Sequence, residues 1–354
     1  MFIVVAIIAF IVLIISHEFG HFIAAKLCGV KVLEFAVGMG PKLLKKQGKE
    51  TLYTLRLLPI GGFCAMEGED EDTGDPRAFT RQPAWKRVII LCAGAAMNFL
   101  IGLILICLLF SSVPGFSTAT VTDFMDGCLY VGEDAIQPGD TFYEINGERT
   151  YFKSNVDTFL QRSGGRDVDI VVKRGGEKVS LHFDEIVPTI EVQDENGNTA
   201  LKYGFNFRVQ ERSFGSQLKY SWYQAMDFVR MVRLSLVDLF SGSVGVKDLS
   251  GVVGIVSIIN DVGQSSPSVT AALENIAYLV AFIAINLAVM NLLPIPALDG
   301  GRILFLILTW CIERIIRRKL DPKYEGYIHA AGLVLLIGLM LFVMYNDIVR
   351  IITG

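Results

Sequence analysis

Four long apolar stretches constrain this chain more than any other feature of its sequence. The first is MFIVVAIIAFIVLII at the N-terminus, which carries no polar side chain and stays mostly apolar to Lys26. The others are 88–110, roughly 276–293 and roughly 328–345. Each can cross a bilayer as a helix. A secretory signal would show a basic leading region and a small-residue cleavage site, and neither is seen. The pattern predicts a polytopic α-helical membrane protein with about four spans.

Composition excludes several other classes of protein. Of 354 residues, 52% are hydrophobic and 19% are charged, which does not fit a disordered, collagen-like or small disulfide-rich chain. The formal net charge of −4 gives no electrostatic footprint for nucleic acid, so we expect no nucleic-acid partner. The lipid bilayer is the partner that the composition predicts.

Lysine and arginine in the short connections predict the orientation. The loop 31–87 holds ten of them and the segment 302–323 holds six, so both are expected in the cytoplasm. Both termini then lie outside. The segment between the second and third spans is about 160 residues long, and long loops translocate regardless of their charge. It is therefore expected to be extracytoplasmic.

Residues 115–213 have the composition of a soluble α+β domain. Gly175-Gly176 and Asn196-Gly197 are hairpin signals between strand-like runs. The stretch 137–147, QPGDTFYEING, resembles the PGD…ING signature of bacterial PDZ domains. The preceding loop, 127–135, lacks the usual small-residue pattern of the loop that holds a peptide C-terminus. Peptide binding, a size filter and a spacer therefore all remain open roles for this domain.

The chain is predicted to divide into four parts. These are 1–110 with two spans and a hairpin region, the inserted domain 115–213, a segment 214–260, and 271–354 with the last two spans. Within the third part, 216–246 has apolar residues at helical spacing. It predicts a helix that either packs on the domain or lies in the outer membrane interface. The short, Gly-rich run 249–259 is typical of an interfacial or re-entrant piece.

The first span ends in His17-Glu18-Phe19-Gly20-His21, an HExxH motif. On a helix, residues four apart share a face, so both imidazoles can bind one zinc ion. Glu18 can then act as the base for a zinc-bound water. The motif also occurs by chance in soluble helices. Two histidines and a glutamate inside an apolar span are costly, however, which favours a functional metal site.

A zinc hydrolase needs a third protein ligand and one open position. The third span ends in NLLPIPALDGG, residues 291–301, where two prolines must break the helix. Asp299 in this apolar setting could bind a cation or cap the next helix, 302–318. Alone it indicates either role; beside an HExxH motif it favours the ligand.

These motifs together resemble the site-2 protease family, and among its members the bacterial RseP-type intramembrane zinc metalloproteases. The resemblance extends along nearly the whole chain and includes a GxG loop at Gly38 and Gly40 and a GGFCAMEGE stretch at 61–69. Two motifs, 93–99 and 249–255, lack the proline that the family usually shows. These departures put the local backbone in doubt but touch no proposed zinc or base position.

The resemblance implies a function, a location and further site residues. It implies Zn²⁺ held by His17, His21 and Asp299, Glu18 as the catalytic base, and substrate-binding roles for Asn291, Gly38 and Gly40. The implied substrates are single-span membrane proteins, of the anti-sigma-factor or remnant-signal-peptide type, in the bacterial cytoplasmic membrane. The inserted domain could bind a peptide C-terminus.

Alternatives follow from the same residues. The resemblance implies that 49–58 and 32–37 form a hairpin that dips into the membrane from the cytoplasmic side and takes substrate along its free edge. An ordinary cytoplasmic hairpin is the alternative. For Asn291, capping of the broken helix competes with a role in substrate binding. For the whole chain, an inactive scaffold that binds peptides is the main rival, and a transporter is the second.

Overall fold

The computed structural model describes residues 2–69, 73–193, 199–245, 251–316 and 323–353. The chain divides into two compact units. One comprises 1–109 and 224–354, and the other comprises 110–223. The first is called the helical unit here and the second the inserted unit.

Eight α-helices are present in the described part of the chain, together with a short 3-10 helix at Phe79–Arg81. They are α1 Phe2–Cys28, α2 Ala84–Leu109, α3 Lys153–Arg162, α4 Phe214–Ser241, α5 Val252–Ser265, α6 Val269–Asn291, α7 Asp299–Ile316 and α8 Lys323–Thr353. Four of these, α1, α2, α6 and the 326–350 part of α8, are long and apolar enough to cross a membrane. The four predicted spans are thereby confirmed as candidate membrane-spanning helices.

The surface of α1 shows why these helices suit lipid rather than water. Its buried residues include Ala6, Ser16 and Gly20, whereas Ile8 and Val12 are half exposed. Apart from the buried Leu13, small and polar groups therefore face the protein, and large aliphatic groups face outward. In water such an apolar face would be an aggregation hazard, but in a bilayer it carries no such cost.

Small residues let the helices approach one another closely. A Cβ atom on Gly20 of α1 would lie 2.3 Å from the carbonyl oxygen of Ala93 in α2. Where α2 crosses α6, a Cβ atom on Gly102 would lie 2.6 Å from Ile285. The buried Ser16 hydroxyl donates to the Asn98 side chain at 3.1 Å, which adds a polar link between α1 and α2. This is the packing expected of helices in a membrane.

Two long strands, β1 Val32–Gln47 and β2 Leu52–Met66, form the sheet of the helical unit. Their register makes them bend back on themselves. Residues 34–37 have partners on both sides, 62–65 and 52–55, and 52–56 also pairs with 42–47. The sheet therefore has four segments, with 62–66 at one edge. The sequence predicted a hairpin of 32–37 with 49–58. These segments do pair, at 34–37 with 52–55, but 52–55 lies inside the sheet and 62–66 forms the edge.

Charged side chains hold the inner segments of this sheet together. The Glu34 carboxylate accepts hydrogen bonds from the Thr54 hydroxyl, Arg56 and Lys42. Burial favours the neutral acid, but these three hydrogen bonds outweigh it and hold the pKa of Glu34 at about 2. Glu34 is therefore ionised at neutral pH and joins residues that are distant in sequence.

The inserted unit is built on a sheet of short strands. The strands are β3 Gly115–Phe124, β4 Thr141–Ile145, β5 Glu148–Arg149, β6 Arg166–Arg174, β7 Glu177–Glu185, β8 Ile190–Gln193, β9 Thr199–Lys202 and β10 Phe205–Glu211. Six of them form one sheet in the order β10-β3-β4-β6-β7, with β5 paired to β4, while β8 pairs with β9. Helix α3 buries Val156 and Leu160. This is an α+β arrangement, as the composition of this segment predicted.

The PGD and ING signatures have clear structural roles in this unit. Asp140 is buried, and its carboxylate accepts two hydrogen bonds from Arg174 at 2.8 and 2.9 Å. Asn146 and Gly147 form the turn between β4 and β5, with φ angles of 47° and 78° that suit this pair of residues. Gly175 and Gly176 connect β6 to β7, as predicted, whereas Asn196 and Gly197 lie outside the described residues.

Candidate metal centre

The last part of α1 brings the two histidines together. His17 and His21 are one helical turn apart, and their Nε2 atoms are 3.2 Å from each other. Both side chains are largely buried, with 14% and 9% of their surface exposed. The helical spacing alone explains this juxtaposition, since it places both rings on the same face.

The loop after α6 delivers Asp299 to the same point. Its Oδ2 atom lies 3.2 Å from His17 Nε2 and 3.3 Å from His21 Nε2. The chain turns sharply just before it, with a positive φ of 76° at Ala297. Asp299 is also the first residue of α7. Asp299 therefore occupies both of the positions that the sequence left open. It lies beside the two histidines, and it begins helix α7.

The three atoms fit a zinc ion. Zn–N and Zn–O distances of about 2.0–2.2 Å in a tetrahedral site place neighbouring ligand atoms about 3.3–3.5 Å apart. The observed triangle has sides of 3.2, 3.2 and 3.3 Å. Asp299 Oδ2 is buried, and no described residue gives it a well-aligned hydrogen bond. A cation would satisfy this carboxylate oxygen and both imidazole nitrogens at once.

Neighbouring groups orient the two rings. The Nδ1 atom of His21 lies 2.8 Å from the carbonyl oxygen of Ile90, so it carries the proton and leaves Nε2 free to bind metal. The Nδ1 atom of His17 lies 3.5 Å from the side-chain amide of Asn291. The structure thus places Asn291 behind a candidate ligand as well as beside the cavity.

Glu18 lies in the same cavity, which has a volume of about 400 Å³. It packs against the edge segment 62–66, where a Cβ atom on Gly62 would lie 3.4 Å from Glu18 Cγ. Burial, followed by the charges of Glu18 and Glu69, raises the pKa of the Cys64 thiol to about 12, and the thiol is not part of the His17, His21 and Asp299 cluster. Glu18 therefore borders the metal position and contacts the sheet.

The structure separates the predicted substrate-binding residues. Asn291 lines the cavity. Gly38 and Gly40 are not among the cavity-lining residues; both have φ of 84°, where β1 bends between its two segments. A Cβ atom on Gly38 would lie 2.4 Å from the carbonyl oxygen of Leu58. The GxG motif is thus explained by the path of the sheet.

Several residues at the site were not assigned a role from the sequence. A Cβ atom on Gly94 would lie 2.4 Å from His21 Nε2 and 2.7 Å from His17 Cε1, so only glycine leaves room for both rings. Glu69 and Arg302 face the cavity as an ion pair. Gly94 and Glu69 lie within the sequence motifs 93–99 and 61–69. Their roles at the site, however, depend on contacts between segments that are distant in the sequence.

Comparison with known proteins agrees with this geometry. The model of peptidase family M50 matches residues 5–339. A predicted zinc metalloprotease of Clostridium acetobutylicum is 35% identical over 353 residues, covering 98% of this chain and 97% of the relative. The regulator of sigma-W protease RasP of Bacillus subtilis is 27% identical over 432 residues, covering 98% of each chain. The zinc metalloprotease RasP of Shouchella clausii is 28% identical over 423 residues, covering 97% of each.

Proposed function

The chain belongs to peptidase family M50, the site-2 proteases, and is an intramembrane zinc metalloprotease; on this premise we propose which residues carry the reaction. His17, His21 and Asp299 bind one Zn²⁺, and Glu18 is the general base. The observation that carries this proposal is the triangle of ligand atoms with sides of 3.2–3.3 Å beside Glu18.

The chemistry divides between the metal and the protein. Zinc bound in such a site supplies Lewis-acid polarisation of a carbonyl and a water of lowered pKa. Glu18 would act as the general base, taking a proton from the attacking water and delivering it to the leaving nitrogen of the cleaved peptide bond. The Ile90 carbonyl accepts from His21 Nδ1–H and holds that imidazole in the orientation that presents Nε2. The Asn291 side-chain amide, 3.5 Å from His17 Nδ1, does the same for His17 when its oxygen is the atom turned toward the ring. Asn291 acts first on His17, and its position in the cavity wall also lets it contact substrate.

Substrate binds in extended form along the edge segment 62–66. A helix cannot be cleaved while its backbone groups are bonded internally, and strand addition gives those groups new partners. Residues Phe63 to Met66 line the cavity that contains Glu18, which supports this edge over the inner segment 52–55. In this proposal the sheet dips into the membrane from the cytoplasmic side, where protein shields its irregular backbone from lipid.

The substrates are single-span membrane proteins. The sequence supports an arrangement in which both termini and the inserted unit are extracytoplasmic. The inserted unit is PDZ-like and excludes substrates with bulky external domains, so cleavage follows an earlier shortening step. The name of the Bacillus subtilis relative, a regulator of sigma-W, favours a membrane-bound regulator of a sigma factor as the substrate type.

Zinc analysis and one substitution test the assignment. We expect about one zinc per purified chain, retained in Glu18→Gln and lost in His17→Ala. Glu18→Gln keeps the shape of the side chain but cannot accept the proton, so cleavage of a single-span substrate should fall by at least about 10²-fold. Cleavage that survives Glu18→Gln would refute the base, and a His17→Ala protein with full zinc would refute the ligand.

A further inference from the structure

Two charged residues face the cavity in addition to the proposed ligands and base. Glu69 follows the end of β2, and Arg302 lies in the first turn of α7. Arg302 Nη1 donates to Glu69 Oε1. The second oxygen of Glu69, Oε2, accepts from the backbone N–H of Met66 at 3.4 Å. The Arg302 side chain is 33% exposed and the Glu69 side chain is 19% exposed, so this ion pair is partly shielded from water.

On one side, the ion pair is fixed to the metal centre. Arg302 is three residues beyond Asp299 on the same helix, and such residues share a face. The start of α7 packs directly against the backbone of the connection that follows α6. Cβ atoms on Gly300 and Gly301 would lie 2.2 and 2.1 Å from the carbonyl oxygens of Leu292 and Ile295. The position of the guanidinium is therefore set by the same turn that sets the Asp299 carboxylate.

On the other side, the ion pair is fixed to the edge segment 62–66. Met66 is the last residue of β2 and is buried, and its N–H is one of the donors to Glu69. Gly62, at the other end of the segment, packs against the proposed base, since a Cβ atom on it would lie 3.4 Å from Glu18 Cγ. The edge is thus held at two points, one at the proposed base and one at Glu69.

From these contacts we propose that Arg302 and Glu69 are positioning residues for proteolysis. Their ion pair spans the cavity and sets the distance between the edge segment 62–66 and Asp299, so that a strand added to the edge places a peptide bond at the metal. The inference rests on the proposed function. It assigns to the two residues no contact with the reacting atoms.

Charge reversal tests the pair directly. Arg302→Glu and Glu69→Arg each place like charges across the cavity, and the double variant restores the attraction with the charges exchanged. Because a misplacement of about 1 Å can cost 10²-fold, each single variant should lower kcat/KM for a single-span substrate by about 10- to 100-fold. The double variant should recover to within about threefold of wild type. Zinc should stay at about one per chain in all three.

A second readout does not require activity. Hydrogen–deuterium exchange of the 62–69 amides should be faster in each single variant and return to the wild-type rate in the double variant. Arg77→Glu is the matched control. It disrupts a similar pair, Arg77 with Glu50 at 2.9 and 3.0 Å, between residues that do not line the cavity. We expect its kcat/KM and the exchange of 62–69 to match wild type.

The outcomes separate this inference from the proposed function. Single reversals with wild-type kcat/KM and exchange, or a double variant no better than either single, would overturn the positioning role. Loss of zinc in the single variants would also overturn it, because the pair would then serve the metal site itself. A last outcome is that wild type cleaves no substrate, while the 62–69 amides still exchange faster in the single variants and at the wild-type rate in the double variant. The proposed function then fails, but the role of the ion pair in holding the edge segment stands.

Discussion

At the scale of single residues, the candidate metal centre depends on the absence of a side chain at Gly94 as well as on the ligand side chains. His17 and His21 share a helix face, but their rings need space on α2, and Gly94 leaves that space open. The neighbouring Gly20 lets α1 and α2 approach until its Cβ position lies 2.3 Å from Ala93 O. A zinc site between two helices therefore requires a residue without a side chain on the opposing helix.

Gly94→Ala should abolish metal binding. The added methyl group would lie 2.4 Å from His21 Nε2, a distance at which atoms cannot remain without one of them moving. We expect zinc per chain to fall to less than about one-tenth of wild type. Gly338→Ala is the control, because this glycine of α8 has no atom within 4 Å of its Cβ position. Full zinc in purified Gly94→Ala would contradict the close contact.

At the scale of secondary-structure elements, α8 is attached to α5 through a buried carboxylate. Asp347 is 2% exposed, although most of α8 is exposed. Its Oδ2 atom accepts from the backbone N–H groups of Gly251 and Gly254 at 3.0 and 2.8 Å. These groups belong to the first turn of α5, where helix N–H donors lack partners within the helix. The glycines of this motif are explained by the carboxylate that approaches them.

Asp347→Leu should therefore destabilise the helical unit. Two partly buried N–H groups would lose their acceptor, at a cost of up to about 1–3 kcal/mol each. We expect the unfolding temperature in detergent to fall by several degrees, while Asp347→Asn, which keeps one acceptor oxygen, loses less. Asn346→Leu is the control, since the buried amide nitrogen of Asn346 has no hydrogen-bond partner among the described residues. Equal stability of Asp347→Leu and wild type would show that this contact does not hold α8.

At the scale of the whole molecule, the inserted unit raises the question of substrate access. Residues 110–223 form a compact unit with its own buried core, including Phe142, Ile145 and Ile170. Among the described residues, those that line the metal-centre cavity all belong to the helical unit. Its proposed role is therefore in selecting substrates and not in the reaction.

Deletion of 116–210 should release cleavage of substrates that still carry a bulky external domain. If the unit acts by exclusion, the rate for such substrates should rise by on the order of tenfold, with little change for shortened substrates. Replacing 116–210 by an unrelated soluble domain of similar size should restore the exclusion. If the replacement domain does not restore the exclusion, specific peptide binding by the inserted unit is favoured. If the deletion variant cleaves bulky substrates no faster than wild type, the size-filter role is rejected.

Much of this protein follows from local sequence. The apolar stretches predicted four spans because span length depends only on bilayer thickness. The spacing of His17 and His21 predicted their shared face because helix geometry is local. Asp299 was a candidate because few acidic residues adjoin the spans, yet its proximity to the histidines depends on the path of the chain between α1 and α7. The sequence left its ligand and helix-start roles open.

Only the tertiary structure decided the features that involve distant segments. The role of Gly94 depends on where α2 crosses α1, and the position of 62–66 at the sheet edge depends on how β1 and β2 bend. The partnership of Arg302 with Glu69 joins residues more than 230 positions apart. Periodicity and composition report on a residue and its near neighbours. Which side chains meet across a cavity is set by packing of the whole unit, and no local pattern encodes it.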